Sequence, residues 1–302
     1  MHTLFENCTL CPRACGVDRT RGQTGFCGAS DTMRAARAAL HFWEEPPISG
    51  SRGSGAVFFS HCTLGCVYCQ NREIARREAF GRTISPAALA DTFLALEAEG
   101  AHNINLVTAA HYAPHVVRAL ALAKQKGLAV PIVYNSSGYE ALETLRLLEG
   151  YIDIYLPDDK YYSSYYAARY SAAPDYHEIA IAAITEMARQ TGAPAYGADG
   201  LLLRGTVVRH LMLPGLAGDT AQVLRDLACC FGDSILVSLM RQYTPFDMRD
   251  YPELDRAVTE AEYAEACERF LALGLTGFFQ EGEAISESFI PAFDGTGLRG
   301  EP

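Results

Sequence analysis

The sequence predicts an α/β fold, a parallel sheet with crossover helices, on three observations. Apolar runs of strand length alternate with amphipathic runs of helix length through most of the chain. Polar residues recur where strand runs end, at Cys62 onward, Thr108, Asn135, Asp158, His210 and Gln242. A βα barrel and an open doubly wound sheet both place their chemistry there. The 302 residues, 49% hydrophobic and 20% charged, can fill one large domain or two modest ones and fit neither a disordered nor a fibrous class.

Residues 1–50 carry four cysteines and several glycines, and show little periodicity except around Met33 to Leu40. This cysteine-rich extension is too small to hold itself together by apolar burial. Pro46, Pro47 and the run ISGSRGSG punctuate its end. A barrel-type strand at 56–61 leads into the cysteine loop. Residues 85–100 then read as a helix, with Ser85 as cap, proline at the first helical position and Gly100 at the end. Strands follow at 103–108, 130–135, 151–156, 201–213, 234–240 and 276–281. Helices lie between them at 113–127, 139–150, 175–192 and 219–232, with a last one at 259–274. The expected domains are the cysteine-rich extension 1–50, the main α/β body 51–282 and a glycine-rich tail 283–302. No repeat at a solenoid period is visible.

The formal net charge of −11 repels nucleic acid and anionic membranes, so neither is an expected partner. The opening MHTLFENCTLCPR has no basic region followed by an apolar core, and no apolar run approaches the roughly 18 residues that span a bilayer. The expected location is cytoplasmic. There, ten cysteines suggest metal binding rather than disulfides.

The stretch HCTLGCVYCQN, 61–71, supplies Cys62, Cys66 and Cys69 and no fourth cysteine. One reading is a zinc site completed by His61. Adjacent strand residues point to opposite faces, and zinc ligands usually come as two separated pairs, so this reading is disfavoured. The other is an iron–sulfur cluster held by three thiolates, which keeps one iron open for a substrate.

This spacing, with Tyr68 just before the last cysteine, resembles the radical S-adenosylmethionine superfamily. The words CVYCQN, YNSSGY, LPDDKY and VVRHLMLPG resemble its pyruvate formate-lyase activating enzyme branch, as do NINLVTAAHY, LMRQYTP and GFFQE, over about 56–281. The resemblance implies a partial (β/α)6 TIM-like barrel, a [4Fe-4S] cluster on Cys62, Cys66 and Cys69, and S-adenosyl-L-methionine cleaved reductively to a 5'-deoxyadenosyl radical that abstracts hydrogen. It places Tyr68 and Asn71 near the adenosine and cluster, and Asn135 and Ser137 near the ribose or methionyl end. Asp158 would accept from the ammonium, Lys160 would pair with the carboxylate and His210 would meet the ribose. It further implies flavodoxin or ferredoxin as electron donor and a glycyl radical enzyme as partner. Another peptide, protein or small-molecule substrate is the alternative.

Taken alone, LPDDKY also reads as a solvated turn, His210 as a core histidine and Tyr68 as packing. Where the branch carries Gly-Gly-Glu, this chain has Thr108, Ala109, Ala110 and His111, and alanine takes positive φ only at a cost. His111 at a strand end is a candidate acid or base, though a lone loop histidine is more often structural.

Cys8, Cys11, Cys15 and Cys27 are spaced for a second, closed site, either structural zinc or an auxiliary cluster. Reduced thiols in a flexible arm are the plain alternative. Cys229, Cys230 and Cys267 are expected to be small buried hydrophobes. A function of another class, a non-catalytic zinc-binding protein, accounts for the same cysteines.

Overall fold

Runs of uncharged apolar residues become strands covered on both faces, as parallel sheets require. The strands are β1 Arg34–His41, β2 Ser54–Phe59, β3 Arg82–Thr83, β4 Ile104–Val107, β5 Ile132–Ser136, β6 Ile154–Pro157, β7 Ala195–Tyr196, β8 Leu202–Leu211, β9 Leu236–Met240 and β10 Gly277–Phe279. The computed structural model describes residues 3–76, 78–280 and 291–300. Every residue of β2, β4, β6 and β9 is buried.

The sheet order is β10-β9-β8-β6-β5-β4-β2-β1-β3, with β7 paired to β8 alone. Every neighbouring pair from β2 to β10 is parallel. Among the described residues no ladder joins β10 to β3, so the described sheet does not close on itself. The periodicity around Met33 to Leu40 is that of β1, antiparallel to β2 with Ala35 opposite Phe59 and His41 opposite Ser54. The main sheet therefore begins inside the cysteine-rich segment. Residues 283–290 of the expected tail lie outside the described residues. Nearer the end, Ala38 donates to Thr296 O and Gly295 to Ala36 O, so the chain returns along β1.

Helices cross between the parallel strands, as a parallel ladder demands. Ser85 caps Pro86–Ala98, its hydroxyl accepting the Ala88 N–H at 3.2 Å. Thr259 and Glu262 form a reciprocal capping box on Glu260–Ala272. Ser164–Ser171 is a further helix, in a tyrosine-rich stretch with no sequence signal for one. Strand alternation divides the core. Leu106, Tyr134 and Tyr155 pack outward with Phe93 and Val116, whereas Val133, Ile154, Leu156, Val207 and Leu236 face inward on Ile48. Cys229 and Cys230 are exposed rather than buried, because they fall on the outer face of Ala217–Phe231. Among the described residues no helix is long and apolar enough to cross a membrane.

The N-terminal segment docks on the sheet through buried groups. Arg19 donates to His111 O at 2.7 Å, Thr144 to Leu10 O at 2.8 Å, and Phe5 stacks on His115 at 4.8 Å. His111 is itself structural: its Nε2 lies 2.8 Å from Ser60 O, inside the fold. Burial first, and then Arg19 beside it, pull its pKa down to about 3.

Replacing Ser85 by alanine leaves the Ala88 N–H without its cap, so Ser85→Ala should cost about 1 kcal/mol in urea denaturation while Ser85→Asp retains most of the stability. The folded pKa of His111, about 3, lies below its ordinary 6.5, so the neutral ring's contribution is complete above pH 6.5 and is lost as pH falls toward 3. Urea titrations across that window should show the parent losing stability more steeply than His111→Gln, which does not titrate.

Candidate functional site

The C-terminal ends of the parallel strands open into a cleft of ≈ 340 Å³. It gathers Cys62, Cys66, Cys69, Tyr68 and Asn71 from the loop after β2, and Thr108, Asn135, Ser137, Asp158 and Lys160 from the ends of β4, β5 and β6. A second hollow opens at the opposite ends, beside Pro46, Gly50, Arg52, His102 and Asp199. None of the expected site residues lines it.

The cysteine loop leaves β2 through a reversal at His61, whose φ is +74°. The turn sends the two neighbours apart: Cys62 lines the cleft, while the His61 ring packs edge-on to His111 at 6.4 Å. His61 therefore does not complete a site with the three thiols. Each loop sulfur accepts a hydrogen bond: Cys62 from Leu64 N–H at 3.4 Å, Cys66 from the Ser171 hydroxyl at 3.1 Å and Cys69 from Asn71 N–H. Burial raises all three thiol pKa values, that of Cys69 to about 11. The other loop thiols add to the shift of Cys62 and Cys69, and Lys160 opposes it at all three.

Among the described residues no three Cys, His, Asp or Glu side chains converge on a single ion position. In an iron–sulfur cube each thiolate takes a different iron, so the sulfurs stand apart. Three partly buried thiols, each already accepting an N–H or O–H, fit that donor set.

Asp158 and Lys160 form an ion pair at 2.5 Å, with side chains 21% and 13% exposed. Burial opposes the Lys160 cation, but adjacent Asp158, joined by Cys66 and Tyr161, outweighs it and raises the pKa. The Tyr176 hydroxyl holds this turn in place, 2.7 Å from Ser137 O and 2.9 Å from Asp158 O, while accepting Lys160 N–H at 3.1 Å. Gly138 makes the crossing possible: its φ is +74°, and a Cβ there would sit 2.0 Å from Asp158 O. Tyr68 starts a buried hydroxyl chain, 2.6 Å from Tyr161 OH, which is 2.8 Å from Ser171 Oγ and so connects to Cys66.

Positive φ does occur near the Gly-Gly-Glu departure, at Thr108 rather than at either alanine. Thr108 has φ +61° at the cleft wall, an uncommon state for a β-branched residue, while Ala109 is right-handed at φ −95°.

His210 does not reach the cleft, which corrects its expected place at a ribose. Its Nδ1 lies 2.6 Å from Asp159 O and its Nε2 2.9 Å from Thr220 Oγ1, in the core. On β8 it is Arg209 and Leu211 that face the cleft. Arg209 makes two 2.9 Å bonds to the Glu45 carboxylate and a close contact with Glu44. Glu44 also accepts from Asn105 at 2.8 Å and Asn135 at 3.4 Å. Burial works against charge on both Glu45 and Arg209, yet each partner overrides it: the Glu45 pKa is lowered and that of Arg209 raised. These three residues were missed from sequence. Strand parity could have found Arg209, because Asp158 bridges it directly on the next strand.

No family model matches the chain. An uncharacterised protein of Methanocaldococcus jannaschii, MJ0674, is 26% identical over 275 residues, covering 88% of this chain and 74% of its own length. Among solved structures, Streptococcus suis SuiB bound to S-adenosylmethionine superposes with TM-score 0.52 at 12% identity, covering 74% of this chain and 49% of SuiB. SuiB bound to precursor peptide SuiA gives 0.50 at 11%, covering 74% and 47%. Methylornithine synthase (PylB) gives 0.51 at 14%, covering 72% and 61%. HydG, a maturase of the [FeFe]-hydrogenase, gives 0.50 at 13%, covering 72% and 48%. The chain thus spans less than two thirds of each of these solved chains. At such identities the likeness is one of fold, which the chain shares with these solved structures.

Proposed function

We propose that this chain is a radical S-adenosylmethionine enzyme in which Cys62, Cys66 and Cys69 hold a [4Fe-4S] cluster and no fourth side chain caps it. The observation that carries this reading is that three thiols and the Asp158–Lys160 pair face one cleft at the C-terminal strand ends. Bound there, a reduced cluster would supply the electron that splits a carbon–sulfur bond of S-adenosylmethionine, giving methionine and a 5'-deoxyadenosyl radical. The chain's own residues bind and orient. Asp158 and Lys160 neutralise each other; a zwitterionic methionyl end can take over both, its ammonium on Asp158 and its carboxylate on Lys160. Asn135 and Ser137 offer amide and hydroxyl groups to the ribose, and Tyr68 and Asn71 lie on the cysteine side. Thr108, at positive φ on the cleft wall, would offer its backbone carbonyl to the ammonium.

The resemblance to activating enzymes extends this proposal to a polypeptide substrate, a glycyl radical installed on a partner enzyme with flavodoxin or ferredoxin as electron donor. Phe42 and Trp43, 51% and 61% exposed, favour a large partner, because Trp43 sits on the cleft wall.

Anaerobically prepared protein should be brown, contain iron and sulfide, and form 5'-deoxyadenosine with dithionite and S-adenosylmethionine. Cys66→Ala should form none. Lys160→Met and Asp158→Asn should keep the cluster absorbance while needing at least ~10-fold more S-adenosylmethionine for half-maximal rate, the loss of one charge-assisted contact. Colourless, zinc-containing protein with no turnover would instead establish a non-catalytic zinc-binding protein. Deuterium passing from a labelled glycine of a candidate partner into 5'-deoxyadenosine tests the polypeptide substrate.

A further inference from the structure

Cys8, Cys11, Cys15 and Cys27 lie outside the cleft, and the proposed reaction gives them no task. All four sulfurs nonetheless accept N–H groups. Cys15 accepts from Phe26 N–H at 3.3 Å and Cys8 from the Arg19 guanidinium at 3.8 Å. Cys11 accepts from the backbone of Arg13 and Cys27 from that of Ala29, each two residues onward. The cleft repeats this two-residue pattern at Cys62 with Leu64 and at Cys69 with Asn71. Burial raises the pKa of Cys11, to about 12, and that of Cys27, and these N–H groups act against the rise, toward the thiolate that binds metal.

Arg19 supplies an independent observation. It is 0% exposed, stacks on Phe5 with its guanidinium carbon 4.7 Å from the ring centroid, and donates to Ser30 O, His111 O and Cys8 Sγ. Among the described residues the ion pairs include no carboxylate partner for it. A buried cation with no counter-charge is strongly unfavourable, and the one side chain Arg19 is seen to donate to, the Cys8 thiol, becomes an anion when it binds metal.

We propose that Cys8, Cys11, Cys15 and Cys27 close on one thiophilic metal centre, zinc or an iron–sulfur cluster, whose negative charge is balanced by the buried Arg19 guanidinium. The four thiols act electrostatically on one another but do not converge on one ion position, so loading draws in side chains, with exposed Cys15 the freest to move. Each thiol releases its proton to solvent as its metal–sulfur bond forms. The centre sits against the catalytic loop. Arg13 donates to Thr63 O at 3.2 Å, Ser171 O at 3.3 Å and Ala172 O at 2.5 Å, and stacks 3.9 Å over Phe26. Phe26 in turn closes on Gly65, where a Cβ would meet its ring at 3.1 Å.

The test is run in a Cys62→Ser/Cys66→Ser/Cys69→Ser chain, so that its outcome is independent of the reaction proposed above. Elemental analysis should find zinc, or iron with sulfide, and adding Cys15→Ser should remove it. Zinc and iron identify the occupant, and either supports the proposal; a chain with neither overturns it. Against a chelator series, Arg19→Gln should release the metal at least ~10-fold more readily than the parent, and Arg19→Lys should restore most of the difference. Equal release from Arg19→Gln and the parent overturns the counter-charge. Should Arg19→Gln fail to fold, stripping the parent still tests the centre itself: chelator must lower its thermal midpoint and leave that of the Cys15→Ser chain unchanged, and an unchanged parent overturns the proposal.

Discussion

A parallel strand must run the same way as its neighbours, and that constraint governs this molecule. From β2 to β10 each pair is parallel, so the chain must cross back over the sheet after every strand, and all strand ends share one rim. Backbone bonds then fix which side chains meet there. Thr108 N–H donates to Asn135 O at 2.9 Å and Asp158 N–H to Ser136 O at 3.0 Å, while Asp158 bridges Arg209. Residues scattered through the sequence become neighbours by register alone.

The N-terminal segment belongs to this arrangement. β1 extends the sheet, Glu44 and Glu45 follow it into the cleft, and Ile48 fills the inner core beneath them. Arg209 is held by both carboxylates, and removing one partner of so enclosed a charge group typically costs about 3–5 kcal/mol. The cleft's floor thus joins β8, inside the parallel array, to the segment that follows the antiparallel β1.

Much of this was legible in the sequence because local chemistry and tertiary demand agree. Ser85, Pro86 and Gly100 bracket a helix with the residue types that satisfy its ends, and Thr259 with Glu262 does so again. The cysteine loop was legible for the same reason: its spacing and the preceding apolar run already imply a strand and a turn. What escaped depended on partners distant in sequence. β1, rich in alanine, is a strand only because β2 lies beside it, and long-range pairing overrides propensity. His210 and Arg209 differ by one residue and hence by one face of β8, a parity that shows only when the neighbouring strand is in place. Thr108 was equally hidden, since its backbone twist follows from where β4 must hand the chain over to the next turn.

The chain of bonds from Arg13 through the carbonyl of Ser171 and its hydroxyl to Cys66 joins segments 158 and 105 residues apart. Electron density on a sulfur responds to each hydrogen bond it accepts. Substitution at either remote position therefore alters the electron density on the Cys66 sulfur while every cysteine stays in place, a dial that drift can turn without removing a thiol.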